Sequence, residues 1–225
     1  MSLRRTAWTV IRKDLKIEMR TREIVSTTAL FALLIVILSA FALDLSRLPG
    51  PAASAGVIWL AICFSGVLAI GRTWLREREF DVWSAVLMSA SSRAGLYLGK
   101  MAGLLVFLLI VLLLLSPLVE LFFHAPMLHC FPSLVPVFLL GTLGFSAVGT
   151  LFGSITVRKG SRDLLLGTIL FPLVSPVLIL SVKATAAILS GQSFASTLGI
   201  LKFLLALDML FLALGLWLFG FLMED

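Results

Sequence analysis

Leu104-Leu105-Val106-Phe107-Leu108-Leu109-Ile110-Val111-Leu112-Leu113-Leu114-Leu115-Ser116-Pro117-Leu118-Val119-Glu120-Leu121-Phe122-Phe123 carries a single charge, Glu120, near its end. A helix needs about 20 mostly apolar residues to cross the hydrocarbon core of a bilayer. Packing into a water-soluble core requires no run of that length. Backbone polar groups cannot stay unpaired in lipid, so the stretch must be helical. It reads as a transmembrane helix. Five further runs share its character: Val25–Leu43, Ala53–Gly71, Leu134–Thr156, Leu164–Val182 and Leu201–Met223. Composition agrees. Of 225 residues, 60% are hydrophobic and 13% charged, where a soluble domain carries roughly 25% charged residues. The predicted fold is an all-α integral membrane protein. It has an amphipathic interfacial helix over residues 1–22 and a single six-helix domain over 23–225, with a cytoplasmic loop at 72–103.

The first run is expected to be an uncleaved anchor. Ala40-Phe41-Ala42 resembles a cleavage site, but the charged lead-in and the apolar run are both longer than a secretory signal uses. Orientation follows from Lys and Arg. Arg4, Arg5, Arg12, Lys13, Lys16, Arg20 and Arg22 precede the first span. Arg72, Arg76, Arg78, Arg93 and Lys100 follow the second, and Arg158, Lys159 and Arg162 follow the fourth. These segments hold 15 of the 18 basic residues; Arg47, Lys183 and Lys202 lie on the other side. Basic residues concentrate on the cytoplasmic side. Six spans then place both ends of the chain in the cytoplasm. The same distribution argues against nucleic acid as the partner of this net charge of +6.

Leu3, Ala7, Ile11, Leu15 and Met19 recur every four residues with Trp8 beside them, and most basic residues fall elsewhere on the helix. That is the pattern of a helix in the membrane interface, with lipid as its partner. The outer connections Asp44–Ala52, His124–Ser133 and Ser190–Gly199 are too short for an extracellular domain.

Enzyme chemistry is not indicated. The sequence holds no GxxxxGK[ST] phosphate loop, no HExxH, no CxxC and no GxSxG. Cys63 and Cys130 form neither a framework nor a metal motif. No catalytic residue is assigned, and ATP hydrolysis is expected in a separate partner subunit. His124 and His129 share one outer loop. Histidine is an axial ligand of haem iron, but two loop histidines read first as surface residues. No metal or directly bound cofactor is expected.

The segment after the second span is the most informative polar stretch. Arg76-Glu77-Arg78-Glu79-Phe80-Asp81 leads into Val82-Trp83 and Leu87-Met88. Phe80, Trp83 and Leu87 follow i, i+3, i+7 spacing. A charged cluster beside such a stripe suits a helix docking into a partner's groove; it suits a helix lying flat on the membrane equally well. Asp208 lies well inside the last run, and an ionisable residue there is a functional candidate. Gly95, Gly99 and Gly103 run at four-residue spacing into the third span. In the fourth, Gly141, Gly149 and Gly153 mark close helix packing, within the chain or against a second copy. Pro117, Pro172 and Pro176 bend helices; broken helices serve transport pathways and are common in inert membrane bundles as well.

Several segments carry a resemblance to a known family. Arg12-Lys13-Asp14-Leu15 with Glu18 and Arg22 opens it, and Gly71-Arg72-Thr73-Trp74 through Arg76-Glu77-Arg78-Glu79 continues it. Leu98-Gly99-Lys100, Gly141-Thr142-Leu143-Gly144-Phe145, Gly149-Thr150-Leu151-Phe152-Gly153, Phe171-Pro172-Leu173 and Pro176-Val177-Leu178 complete it. Together they resemble ABC-2-type permeases and, within these, the haem exporter B family of the bacterial cytochrome c maturation system. The chain departs from the family at Leu87-Met88-Ser89-Ala90, where members often carry a Leu-Ala-Pro-like stretch. The resemblance implies a permease in the bacterial inner membrane paired with a cytoplasmic ABC ATPase, and Arg76–Leu87 as the docking element. It also implies a haem-handling membrane protein, a small helper subunit, and haem as cargo or as the group loaded onto a periplasmic chaperone. The competing expectations are an ABC-2 permease for another lipid, glycan or drug, and a membrane assembly factor that transports nothing.

Overall fold

In the computed structural model, residues 3–43, 50–79, 92–159 and 164–222 are described. They form seven helices: α1 (Leu3–Thr21), α2 (Glu23–Ala42), α3 (Pro51–Glu79), α4 (Arg93–Phe123), α5 (Phe131–Lys159), α6 (Leu164–Leu189) and α7 (Phe194–Leu222). Helices α2 to α7 are each long and apolar enough to cross a membrane, and each overlaps one of the six predicted runs. The chain is a multi-pass, all-helical membrane protein.

α5 is the axis of the bundle. It packs against α3, α4, α6 and α7 and is the most buried of the six spans. Its glycines explain why. A methyl group added at Gly141 would strike the Trp59 ring and Ser181, at Gly149 Ile70, and at Gly153 Trp74. Between helices in lipid there is no hydrophobic drive beyond close packing, so bare Cα atoms that admit a neighbour's ring are the main source of contact. Each of these three glycines is faced by a side chain from another helix of the same chain.

α2 and α7 form the periphery. α2 buries Ile24, Thr28, Ala32, Val36 and Ala40, one residue per turn, and presents Leu30, Leu34, Leu38 and Phe41 outward. Thr28 is tolerated on the buried stripe because its hydroxyl donates to the Ile24 carbonyl at 2.6 Å, which leaves no free polar group in the interface.

The 72–103 segment is less of a loop than its composition suggests. α3 continues through Arg72 to Glu79, and α4 begins at Arg93, capped by Ser92, whose side chain accepts from the Gly95 N–H at 3.3 Å. Run length follows only apolar residues. Helical hydrogen bonds continue past the apolar zone wherever packing supports them. α4, with 31 residues, is about 46 Å long against a hydrocarbon core of ~30 Å. Helices continue through Pro117, Pro136, Pro172 and Pro176 as well.

α1 packs on the bundle through a face beside the predicted apolar stripe. Thr6, Asp14 and Glu18 are its buried residues, while Leu3, Trp8 and Met19 are exposed. Thr6 sits on Gly95, Val10 on Gly99 and Asp14 on Gly103, so α1 runs beside the first turns of α4 in the same direction. The predicted apolar stripe is the neighbouring face, with Ala7, Ile11 and Leu15 half-buried. Between α1 and α2 the chain turns at Arg22, whose φ is +53°. Glu18 secures that corner by accepting from the Val25 N–H at 2.8 Å, which supplies a partner to one of the unpaired amides that open α2.

Candidate functional site at the basic end of the bundle

The start of α2, the end of α3, the start of α4 and the ends of α5 and α7 meet at one end of the bundle, where most basic residues lie. Lys100 is the centre of this region. Its ammonium lies 2.9 Å from a carboxylate oxygen of Asp14 on α1, and the two side chains are 4% and 8% exposed. The same ammonium stands 5.7 Å over the Trp74 ring on α3. Trp74 in turn covers Gly153 on α5. One lysine therefore joins four helices. Taking two charges out of water is costly, and the cost is offset only when they are closely paired. A cation over an indole face adds a further favourable contact.

Two more links surround this centre. Arg72 on α3 pairs with Glu23 at the start of α2, Nη1 to Oε1 3.0 Å, both about half exposed. Arg93 at the start of α4 donates to the Gly220 carbonyl near the end of α7 at 3.4 Å. One helical turn from Arg93, Tyr97 donates to the Ala147 carbonyl at 2.9 Å and lies against Gly215 and the Phe219 ring.

The predicted docking residues bear on this network as follows. Arg76, Glu77, Arg78 and Glu79 form the last turn of α3, directly beyond Trp74. Phe80, Trp83 and Leu87 lie outside the described residues. α3 and α4, the two helices that flank the segment, are the ones joined through Lys100 and Trp74.

Asp208 on α7 is fully buried, and neither of its carboxylate oxygens has a hydrogen-bond partner among the described residues. It faces Gly144 and Val177. Lys202, six residues earlier, is exposed. Ser146 and Ser181 likewise have buried hydroxyls without a partner among the described residues. Toward the other end, Trp59 donates to Thr185 at 2.9 Å, and Glu120 accepts from the Leu128 N–H at 2.7 Å. His124 and His129 are both exposed, and His124 takes a left-handed conformation at the end of α4. Among the described residues no group of three His, Cys, Asp or Glu side chains is placed to hold a metal. Cys63 and Cys130 are free thiols.

Sequence patterning missed the Asp14–Lys100 pair and the role of Gly95, Gly99 and Gly103 as the seat of α1. A signal was available: Asp14 and Glu18 stand four residues apart in an otherwise basic helix, and a glycine ladder of matching length ends beside Lys100.

The family model described as CcmB protein matches residues 5–221. The chain is 32% identical over 138 residues to the heme exporter protein B of Pseudomonas aeruginosa, an alignment covering 61% of this chain and 61% of that relative's own length. It is 28% identical over 215 residues to the heme exporter protein B of Bradyrhizobium diazoefficiens, covering 92% of this chain and 91% of the relative.

Proposed function

Because the chain belongs to the CcmB family, we propose that it is the membrane-spanning subunit of an ABC transporter that serves haem export in cytochrome c maturation. The names of its two relatives, both heme exporter protein B, support the cargo class. In this reading the basic end faces the cytoplasm, in keeping with the positive-inside distribution, and the membrane is the bacterial inner membrane. Phosphoryl chemistry is supplied by a separate cytoplasmic ATPase. A haem-handling membrane protein and a small helper subunit complete the assembly.

The observation that carries the mechanism is the buried Lys100 centre. The ATPase seats on Arg76–Leu87. Its closing and opening move the end of α3 and the start of α4, and the Asp14–Lys100–Trp74 contacts pass that movement to α1 and α5. Packed interfaces have discrete arrangements and do not deform continuously. A displacement at the helix ends therefore repositions whole helices. The powered step drives haem loading onto a periplasmic chaperone, or release of the loaded chaperone.

Affinity purification from native membranes tests the assembly. Recovery of an ABC ATPase together with a haem-binding membrane protein is the expected result. A chain that purifies with neither contradicts the proposal. ATP hydrolysis and chaperone release by the complex, with no cargo crossing a sealed vesicle, would favour an assembly factor over a haem conduit.

A further inference from the structure

An open groove of about 360 Å³ runs between α3 and α6. Gly56, Leu60 and Cys63 line one side; Leu178, Val182 and Lys183 line the other. Leu60 and Ile179 at its edges are 47% and 55% exposed. In a membrane-spanning bundle that surface meets acyl chains.

Two features set this groove apart from an ordinary seam. The first is Gly56. Gly141, Gly149 and Gly153 are each filled by a neighbour's side chain, whereas a Cβ at Gly56 would meet nothing within 4 Å. Its missing side chain serves no contact inside the protein and leaves the groove open. The second is Lys183. It is exposed, and among the described residues it has neither an acidic partner nor any other polar contact. It stands about 9 Å along the helix from the end of α6. A cation at that depth is costly without an anion, and its four-carbon stem lets the ammonium reach toward the headgroup level. The other strong polar group lining the groove, the Trp59 N–H, is already taken by Thr185.

Gly56 to Cys63 covers about 10 Å of helix, some two-thirds of the ~15 Å hydrocarbon depth of one leaflet. The matching ligand has an anionic head and an unbranched apolar tail. We propose that this groove binds one anionic phospholipid, with an acyl chain between α3 and α6 and its phosphate on Lys183, a side chain suited to phosphate as a point charge. The site is independent of what the transporter carries.

The test is mass spectrometry of the lipid that stays with the full-length protein, in its complex, after extensive detergent washing. The wild type is expected to retain about one phosphatidylglycerol or cardiolipin per chain, in preference to phosphatidylethanolamine. Gly56→Leu fills the groove from a position with free space, and Lys183→Gln removes the charge at an exposed site. Each should lower retention roughly tenfold, the equivalent of ~1.4 kcal/mol, with thermal stability unchanged. The Lys183 variant stands as the test if the Gly56 variant folds poorly. Equal retention in the variants, no preference for anionic lipid, or haem in the groove in place of lipid would each overturn the proposal.

Discussion

The carboxylate of Asp14 and the ammonium of Lys100 lie 2.9 Å apart, 8% and 4% exposed, and join the N-terminal helix to the start of α4. Their environment sets the sign of any substitution. Removing one partner takes from a buried charge its closest opposite charge, a change that costs up to about 3–5 kcal/mol. Asp14→Asn and Lys100→Met should each lower the melting temperature of the purified protein markedly. The pair exchanged as Asp14→Lys with Lys100→Asp should recover part of the loss. Additive losses in the double variant would mean that the two residues do not act as a pair.

The glycine seat of α1 predicts a graded response. A Cβ at Gly99 would come within 2.7 Å of Val10, and at Gly95 within 2.7 Å of the Leu3 carbonyl; at Gly103 it would reach only ordinary contact with Asp14, at 3.8 Å. Gly99→Leu should lift α1 from α4 and expose its arginines and lysines to trypsin. Gly103→Ala should leave the cleavage pattern unchanged and gain roughly 0.5–1 kcal/mol of helix propensity. Equal trypsin sensitivity in the two variants would contradict this packing.

How much of this was legible in the sequence depends on the kind of signal. Leu104–Phe123 and its five counterparts were found by run length, because a hydrocarbon core admits nothing else. Helix ends were not, because Arg72–Glu79 and Arg93–Gly103 are helical for reasons of packing that composition does not record. The face that α1 turns to α4 leaves little mark in composition for a related reason. An apolar stripe at Leu3, Ala7, Ile11, Leu15 and Met19 is conspicuous, yet Thr6, Val10, Asp14 and Glu18 make the contact, since a single buried ion pair and a glycine seat outweigh the stripe. Gly141, Gly149 and Gly153 stand out in the sequence because small residues at helical spacing have few other uses in lipid. Phe80, Trp83 and Leu87 lie outside the described residues.

Asp208 is buried, and neither oxygen has a hydrogen-bond partner among the described residues. Replacing an unpaired buried polar group does not remove a native contact. Asp208→Asn should therefore melt within about 1 kcal/mol of the wild type, while cytochrome c assembly falls, as expected of an intramembrane acid kept for function. A large drop in melting temperature with normal assembly would assign the residue to the fold instead.

His124 and His129 are exposed and outside any cluster of three ligating side chains among the described residues. Replacing both with Ala should leave cytochrome c assembly largely intact in a complementation assay. Complete loss would show that the outer connection binds haem or the chaperone.

In the proposed coupling, a partner's ATPase acts on this chain through Arg76–Leu87. The most direct test is quantitative co-purification of the ATPase with the variant carrying Phe80→Ala and Trp83→Ala. Loss of these two aromatic anchors should cost about 2 kcal/mol or more of binding and lower ATPase recovery at least severalfold, with the chain itself still inserted and stable. Undiminished recovery of the ATPase would contradict the account.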